Sequence, residues 1–325
     1  MTDWLAALDS AWDALRSTAP VARQYRTKLI SKDVSLDILA GMRATDDAPC
    51  LMLQTTPATD ALFELGGMRL SAVPDPSGTF LVLSLEDSAR RDLFSTICAD
   101  VVGAAASSGR SDALAQFLAR LDAWRQFLRD RRSGLSRSDT IGLIGELLIL
   151  ERLVAADPRC LSSWQAPNDG LQDFLFTGHA LEIKSSLGAA SAVTISSLDQ
   201  LEPSGLHRLD LLHIKLNETP SGRTLQDIVD AIANHLHDEL ARRTFENALL
   251  RRGLMPDDQE ARTAPRVQER ALDAYLVVQD FPRLIRSELS AAITEATYTL
   301  DVRGLAAFAT DAGAVISAFA GRRDA

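Results

Sequence analysis

Three cysteines, Cys50, Cys98 and Cys160, are too few and too scattered for a disulfide framework, and no spacing suggests a zinc site. Their scarcity fits a reducing compartment, so a cytoplasmic location is expected. No apolar run reaches the roughly 18 residues that a membrane span needs. The opening Met-Thr-Asp-Trp-Leu lacks the basic-then-apolar order of a secretory signal. A soluble chain with no membrane partner is expected. There is no Walker loop to power an ATP-driven motor, and no helix-turn-helix or zinc finger to read a DNA sequence. Internal repeats and low-complexity tracts are absent too. Basic charge is in deficit, with 34 Lys and Arg against 44 Asp and Glu, a formal net charge of −10. That argues against a protein that coats nucleic acid through bulk Lys/Arg–phosphate contacts. It leaves room for an acidic, metal-bearing site beside a local basic strip, and it predicts weak DNA affinity for the isolated chain and a partner that delivers substrate.

What the chain does have is apolar content. Hydrophobic residues make up 46% of its 325 residues, ample for a globular core and enough for two domains. Trp4, Leu5, Leu8, Trp12 and Leu15 recur at helical spacing over 2–18. Residues 28–86 then show strand-and-turn texture, and a helix is expected over 87–105. The small, polar stretch from Ala104 to Ser111 is the best boundary. The expected domains are therefore a β-rich 1–108 with an N-terminal helix, and 109–325.

Within the second part, 138–156 reads as a helix that is apolar around nearly its whole circumference, with Glu146 projecting between Leu150 and Leu153. A buried carboxylate there is either expensive or functional. Ala192–Ser196, Leu209–Leu216, Ala274–Gln279 and Ala296–Val302 read as strands. Thr224 opens a helix with Asp227 in a capping-box position, and its apolar stripe runs through Leu240 to a stop at Gly253 and Pro256. Residues 257–268 read as loop. Arg242, Arg243, Arg251 and Arg252 form a basic strip, read first as a solvated face and second as a phosphate contact.

The stretch Asp173–Ser186 concentrates chemistry. Two short β-like runs, Phe174–Phe176 and Ala180–Ile183, flank Thr177-Gly178-His179. Alternation puts Glu182 and Lys184 on one face, and Asp173 lies across the turn. An isolated Glu-x-Lys reads more readily as the solvated face of a strand. The upstream Asp and the Glu of the apolar helix favour a site. Mg²⁺ takes oxygen ligands and is commonly held by one or two carboxylates plus substrate phosphate. Asp173 and Glu182 supply that set, with the backbone carbonyl of Ile183 as a third ligand. Lys184 would orient a water or stabilise developing charge, and Glu146 would complete the metal shell.

Glu146, Asp173, Glu182 and Lys184, in this order, resemble the PD-(D/E)XK, or restriction-endonuclease-like, nuclease superfamily. Its core is a helix carrying Glu, a strand with Asp and a strand with Glu-x-Lys. The wording around 138–202 (Gly142-Leu-Ile-Gly-Glu-Leu, Trp164 with Pro167, Asp173-Phe, Glu182-Ile-Lys-Ser-Ser, Ile195-Ser-Ser with Gln200-Leu) is similar to an uncharacterised branch associated with bacterial restriction and phage-defence clusters. One departure is that Gln172 stands where the superfamily has the Pro of Pro-Asp. The resemblance implies an α/β (α+β) fold, a mixed sheet flanked by helices behind a β-rich N-terminal domain. It also implies a Mg²⁺- or Mn²⁺-dependent endonuclease acting on DNA, with protein partners from a restriction or defence system. Ser185, Ser186 and Gln200 are implied as auxiliary contacts to phosphate or to the Lys, against a reading of ordinary strand-end polarity. The alternative is a catalytically silent nuclease-fold scaffold or DNA-binding subunit of a defence complex. RNA as substrate is a third option, since it offers the same phosphodiester.

Overall fold

The computed structural model of the chain describes residues 2–18, 24–31, 36–55, 62–75, 78–109, 111–130 and 134–321. It divides into two compact units, 1–132 and 133–325.

In the first unit, helix α1 (Trp4–Arg16) precedes six strands: β1 (Tyr25–Leu29), β2 (Ile38–Arg43), β3 (Pro49–Thr55), β4 (Phe63–Leu65), β5 (Met68–Asp75) and β6 (Gly78–Leu85). They form an antiparallel sheet in the order β1-β2-β3-β6-β5-β4. The apolar face of α1 buries Leu8, Trp12 and Leu15, and the Trp12 indole donates to the Cys50 carbonyl at 3.1 Å. Helices α2 (Arg91–Ala106) and α3 (Ala113–Asp130) follow. The boundary expected after residue 108 falls instead after 132, because α3 packs on α2. Asp100 of α2 fixes that packing by accepting from Arg120 Nε and Trp124 Nε1, both at 2.6 Å.

The second unit opens with α4 (Arg137–Ala156), started by a capping box in which Ser136 Oγ accepts from the Asp139 N–H and Asp139 returns a bond to the Ser136 N–H. Strands β7 (Phe174–Phe176), β8 (His179–Leu187), β9 (Ala192–Ile195) and β10 (Arg208–Arg223) come next. Helices α5 (Leu225–His235), α6 (Glu239–Arg251) and α7 (Gln259–Thr263) then lead to β11 (Val267–Leu276), β12 (Tyr298–Asp301), β13 (Ala309–Thr310) and α8 (Ala312–Ala320). The main sheet runs β13-β11-β10-β8-β7, with β8 and β10 parallel and the other pairs antiparallel; β9 and β12 pair separately. One face carries the larger core, in which Leu181, Ile183, Leu212 and Ile214 meet α4, α5 and α8. The other face buries Ala180, Leu209, Leu211 and Tyr275 beneath Val193 and Ile195 of β9. This is the expected mixed sheet with helices, joined in one chain to a β-rich N-terminal unit.

Two details differ from the sequence reading. The helix opened by Thr224 does not run on to 252. Its predicted stripe breaks at Leu236, whose backbone is extended, and Asp238 starts a new helix by accepting from the Ala241 N–H at 2.9 Å. Leu240 consequently ends up exposed. The stretch 257–268 is not all loop, since Asp258 caps α7 and β11 begins at Val267.

Between β7 and β8 the chain reverses in two residues, Thr177 (φ 43°) and Gly178 (φ 77°). That is the double left-handed turn that matches strand twist. A Cβ on Gly178 would also fall 2.7 Å from His207 Nδ1, which leaves glycine as the residue that fits.

Helix α4 reaches the sheet through Gly145. A Cβ there would lie 1.8 Å from Ser185 Oγ, 3.1 Å from Ser185 Cβ and 3.7 Å from Ile183 Cγ2. Gly145→Ala is expected to destabilise the second unit by about 1–3 kcal/mol through overpacking. Most of that loss should return in Gly145→Ala/Ser185→Ala, where the nearest atom is gone. Denaturant unfolding of the single and double variants checks this; equal losses in both would contradict it.

Candidate active site

Pairing of Phe174 with Leu181 and of Phe176 with His179 forms the expected hairpin, and continuing its register sets Asp173 opposite Glu182. The site is therefore built where the edge strand β7 stops, leaving an N–H of β8 without a strand partner. Asp173 takes that N–H: its Oδ2 accepts from the Ile183 amide at 2.8 Å, while its own carbonyl accepts from the Gln165 amide at 2.8 Å.

Alternation along β8 sends Ile183 and Ser185 toward α4 and turns Glu182 and Lys184 to the other face. Glu182 is 1% exposed. Its Oε1 receives Lys184 Nζ at 2.8 Å, and its Oε2 is buried with no hydrogen-bond partner. Lys184 Nζ also donates to Gln200 Oε1 at 3.1 Å, and that oxygen is itself held by the Ser196 amide at 2.8 Å.

From α4, Glu146 enters as a buried side chain whose two oxygens are both engaged. Trp164 Nε1 donates to Oε2 at 3.0 Å, and Arg252 Nη2 pairs with Oε1. Glu146, Asp173, Glu182, Ile183, Lys184, Ser196, Gln200 and Arg252 line one cavity of about 640 Å³, which also takes in Gly142, Asp169, Gly170 and Ser185.

Three carboxylates thus share a buried space with two cationic side chains. Burial is the main reason that Glu182 is pushed up to about 8, with repulsion from Asp173 adding to it and Lys184 opposing. Burial likewise raises Glu146 to about 7, Arg252 opposing and Asp173 adding. Asp173 is raised by burial too, against the pull of the Ile183 amide and Lys184. The excess negative charge and the unpartnered Glu182 oxygen suit a hard divalent cation. Among the described residues no group of three or more His, Cys, Asp or Glu side chains converges as a metal cluster. Glu146 is committed to Trp164 and Arg252, which leaves Asp173 and Glu182 as the carboxylates that could hold an ion.

The auxiliary residues part company. Gln200 holds Lys184. Ser185 lines the cavity, but its Oγ lies against Gly145 without a hydrogen-bond partner. Ser186 is outside the cavity lining, and its hydroxyl pairs with the buried His213 Nε2 at 2.8 Å. Burial holds that imidazole down to about 4, so near neutral pH it is an uncharged ring that shares this hydrogen bond with the Ser186 hydroxyl.

Two site residues carry no such role in the sequence. Trp164 enters there only within the resemblance, without an assignment. Arg252 sits within the basic strip, of which it alone lines this cavity. Arg242 caps Leu236 O, Arg243 pairs with Glu239, and Arg251 reaches Asn168. A glutamate in an all-apolar helix is a signal that a buried donor exists; it does not say which one.

A family model described as "Putative PD-(D/E)XK family member, (DUF4420)" matches residues 8–303, nearly the whole chain and both units. The chain belongs to that family. Membership in the PD-(D/E)XK group points to a nuclease, to DNA as its substrate class, and to the divalent ions that such enzymes generally use. No curated protein and no solved structure matches the chain. Among the described residues no helix is long and apolar enough to cross a membrane.

Proposed function

We propose that the protein is a Mg²⁺- or Mn²⁺-dependent endonuclease that hydrolyses DNA phosphodiester bonds, acting in the cytoplasm with protein partners of a restriction or phage-defence system. The observation that carries this is the meeting of Asp173, Glu182 and Lys184 in one cavity, with a buried Glu182 oxygen left without a partner.

Asp173 and Glu182 would hold the ion, with the Ile183 carbonyl beside them. A divalent ion bound there supplies positive charge to the phosphate and lowers the pKa of a coordinated water. Lys184 is fixed from two sides, by Glu182 and Gln200, so its Nζ is positioned before substrate arrives. From that position it orients the attacking water and faces the charge that develops on the phosphate. Glu146 acts from α4 by setting the negative field of the site and by holding Arg252.

Purified protein is expected to cut duplex DNA in Mg²⁺ or Mn²⁺ and to stop on addition of EDTA. Cleavage that persists in EDTA, or none with either ion, would sink the assignment. The scaffold reading draws on a specific observation: Lys184 and Arg252 already pair with Glu182 and Glu146. It requires DNA or partner binding with no cutting at all, so the same assay separates the two.

A further inference from the structure

A polyanion entering this cavity meets four carboxylates, those of Glu146, Asp169, Asp173 and Glu182, and among the described residues that line it the basic side chains are Lys184 and Arg252. Lys184 is turned to Glu182 and Gln200. Arg252 comes from a separate element, carried by the end of α6. Its backbone is fixed there by a left-handed stop. The Gly253 amide bonds Leu250 O at 2.9 Å, the Leu254 amide bonds Leu249 O at 3.0 Å, and Gly253 takes φ 98°. The guanidinium gives Nη2 to Glu146, whereas its Nε is buried and has no hydrogen-bond partner. The side chain is 25% exposed, enough to present an edge to the cavity. A planar guanidinium donates two parallel bonds to a phosphate as readily as to a carboxylate.

We infer that Arg252 is a substrate-binding residue of this site: it donates to a non-bridging oxygen of the DNA phosphodiester seated over Asp173, Glu182 and Lys184, and Glu146 is the positioning residue that aims it. The inference rests on the nuclease reading above and extends it by a residue that lies outside the helix–strand–strand motif. The competing role for Arg252 is purely structural, as the counter-ion of a buried Glu146. Removing one partner of a buried pair leaves the other uncompensated, so a simple loss of activity in an Arg252 variant would not tell the two roles apart.

The experiment uses the full chain carrying Lys184→Ala, so that DNA stays intact in Mg²⁺. Duplex DNA affinity is measured from about 50 to 200 mM salt, a range over which phosphate contacts are titrated by counter-ions. Three further forms are compared in that background: Arg252→Met, Glu146→Gln, and both together. Arg252→Met should weaken binding by about tenfold and make the log K against log salt slope shallower by about 0.9, the value for one phosphate contact. Thermal unfolding should show lower stability in Arg252→Met and recovery in the double variant, where Glu146 no longer leaves a buried charge without its counter-ion. The shallower slope should persist in that double variant. An unchanged slope, or binding that returns together with stability, would overturn the inference, as would the absence of measurable binding before Arg252 is altered. Cutting by the chain with Lys184 intact is scored separately. If it cuts and Arg252→Met binds normally, the nuclease reading stands and the role of Arg252 fails. If it does not cut, the nuclease reading itself has failed.

Discussion

Lys184→Ala is expected to lower the rate of Mg²⁺-dependent DNA cleavage by about 10²–10⁴-fold, the range for removing a positioned proton-transfer or charge-stabilising group. The size of the effect follows from how the side chain is held. Its Nζ lies 2.8 Å from Glu182 Oε1 and 3.1 Å from Gln200 Oε1, with the Gln200 oxygen anchored on the Ser196 amide. Little reorganisation is left for the moment of reaction, which is where preorganised charge contributes most. Asp173→Ala should be at least as severe. It removes an ion-holding oxygen and also leaves the Ile183 amide without its acceptor. Gln200→Ala should cost less, about tenfold, because it loosens Lys184 without removing it. Cleavage rates at saturating Mg²⁺, with far-ultraviolet circular dichroism to verify the fold, check all three. Lys184→Ala cutting at the wild-type rate would remove Lys184 from the mechanism.

The second large effect is on stability. Free of divalent ions, the protein should become less stable as pH rises from about 5 to about 8. Proton counting sets the sign. An unfolded Glu titrates near its ordinary value of about 4.3, whereas folded Glu182 holds its proton up to about 8. Between those values the folded state binds more protons than the unfolded one, so stability falls as pH rises. Below the lower value the contribution is fully present. Glu146, raised to about 7, adds in the same direction.

Glu182→Gln keeps the shape and removes the ionisation. It should flatten much of this pH dependence and be more stable than wild type at pH 8 by about 2–4 kcal/mol, since each tenfold difference in proton affinity between the folded and unfolded chain is worth roughly 1.4 kcal/mol. Added Mg²⁺ should reverse the comparison, because only a chain with Glu182 gains the stabilisation of a ligand bound to the folded state. Urea unfolding at several pH values, with and without Mg²⁺, reads both halves. A wild type whose stability rises across that range would contradict the burial argument.

Local signals were legible in the residues. The hairpin follows from alternation interrupted by Thr177-Gly178, and its two left-handed residues explain why those two stand there. The capping box at Thr224 and Asp227 forms as its spacing requires, with the Asp227 amide 3.0 Å from Thr224 Oγ1. Glu146 stood out because a carboxylate on an all-apolar helix needs a partner.

What escaped depends on contacts far apart in sequence. The parallel pairing of β8 with β10, which places Glu182 inside the sheet rather than at its edge, leaves no mark within either strand. Arg252 looks like its neighbours in a run of arginines. Only the break at Leu236 and the stop at Gly253 aim it at a glutamate 106 positions away. That the first unit runs on to 132 is hidden for a similar reason. The small residues after Ala104 mark a turn, and the two contacts to Asp100 are what hold the next helix in the first unit.

Everything proposed for this site depends on the end of the hairpin binding a divalent cation through Asp173 and Glu182. Calorimetric titration of Mn²⁺ into wild type, Asp173→Asn, Glu182→Gln and Glu146→Gln tests that binding without any substrate. Wild type should show a saturable site, lost in the first two variants and kept, with altered affinity, in Glu146→Gln. Binding that survives both Asp173→Asn and Glu182→Gln, or that is absent from wild type, would contradict it.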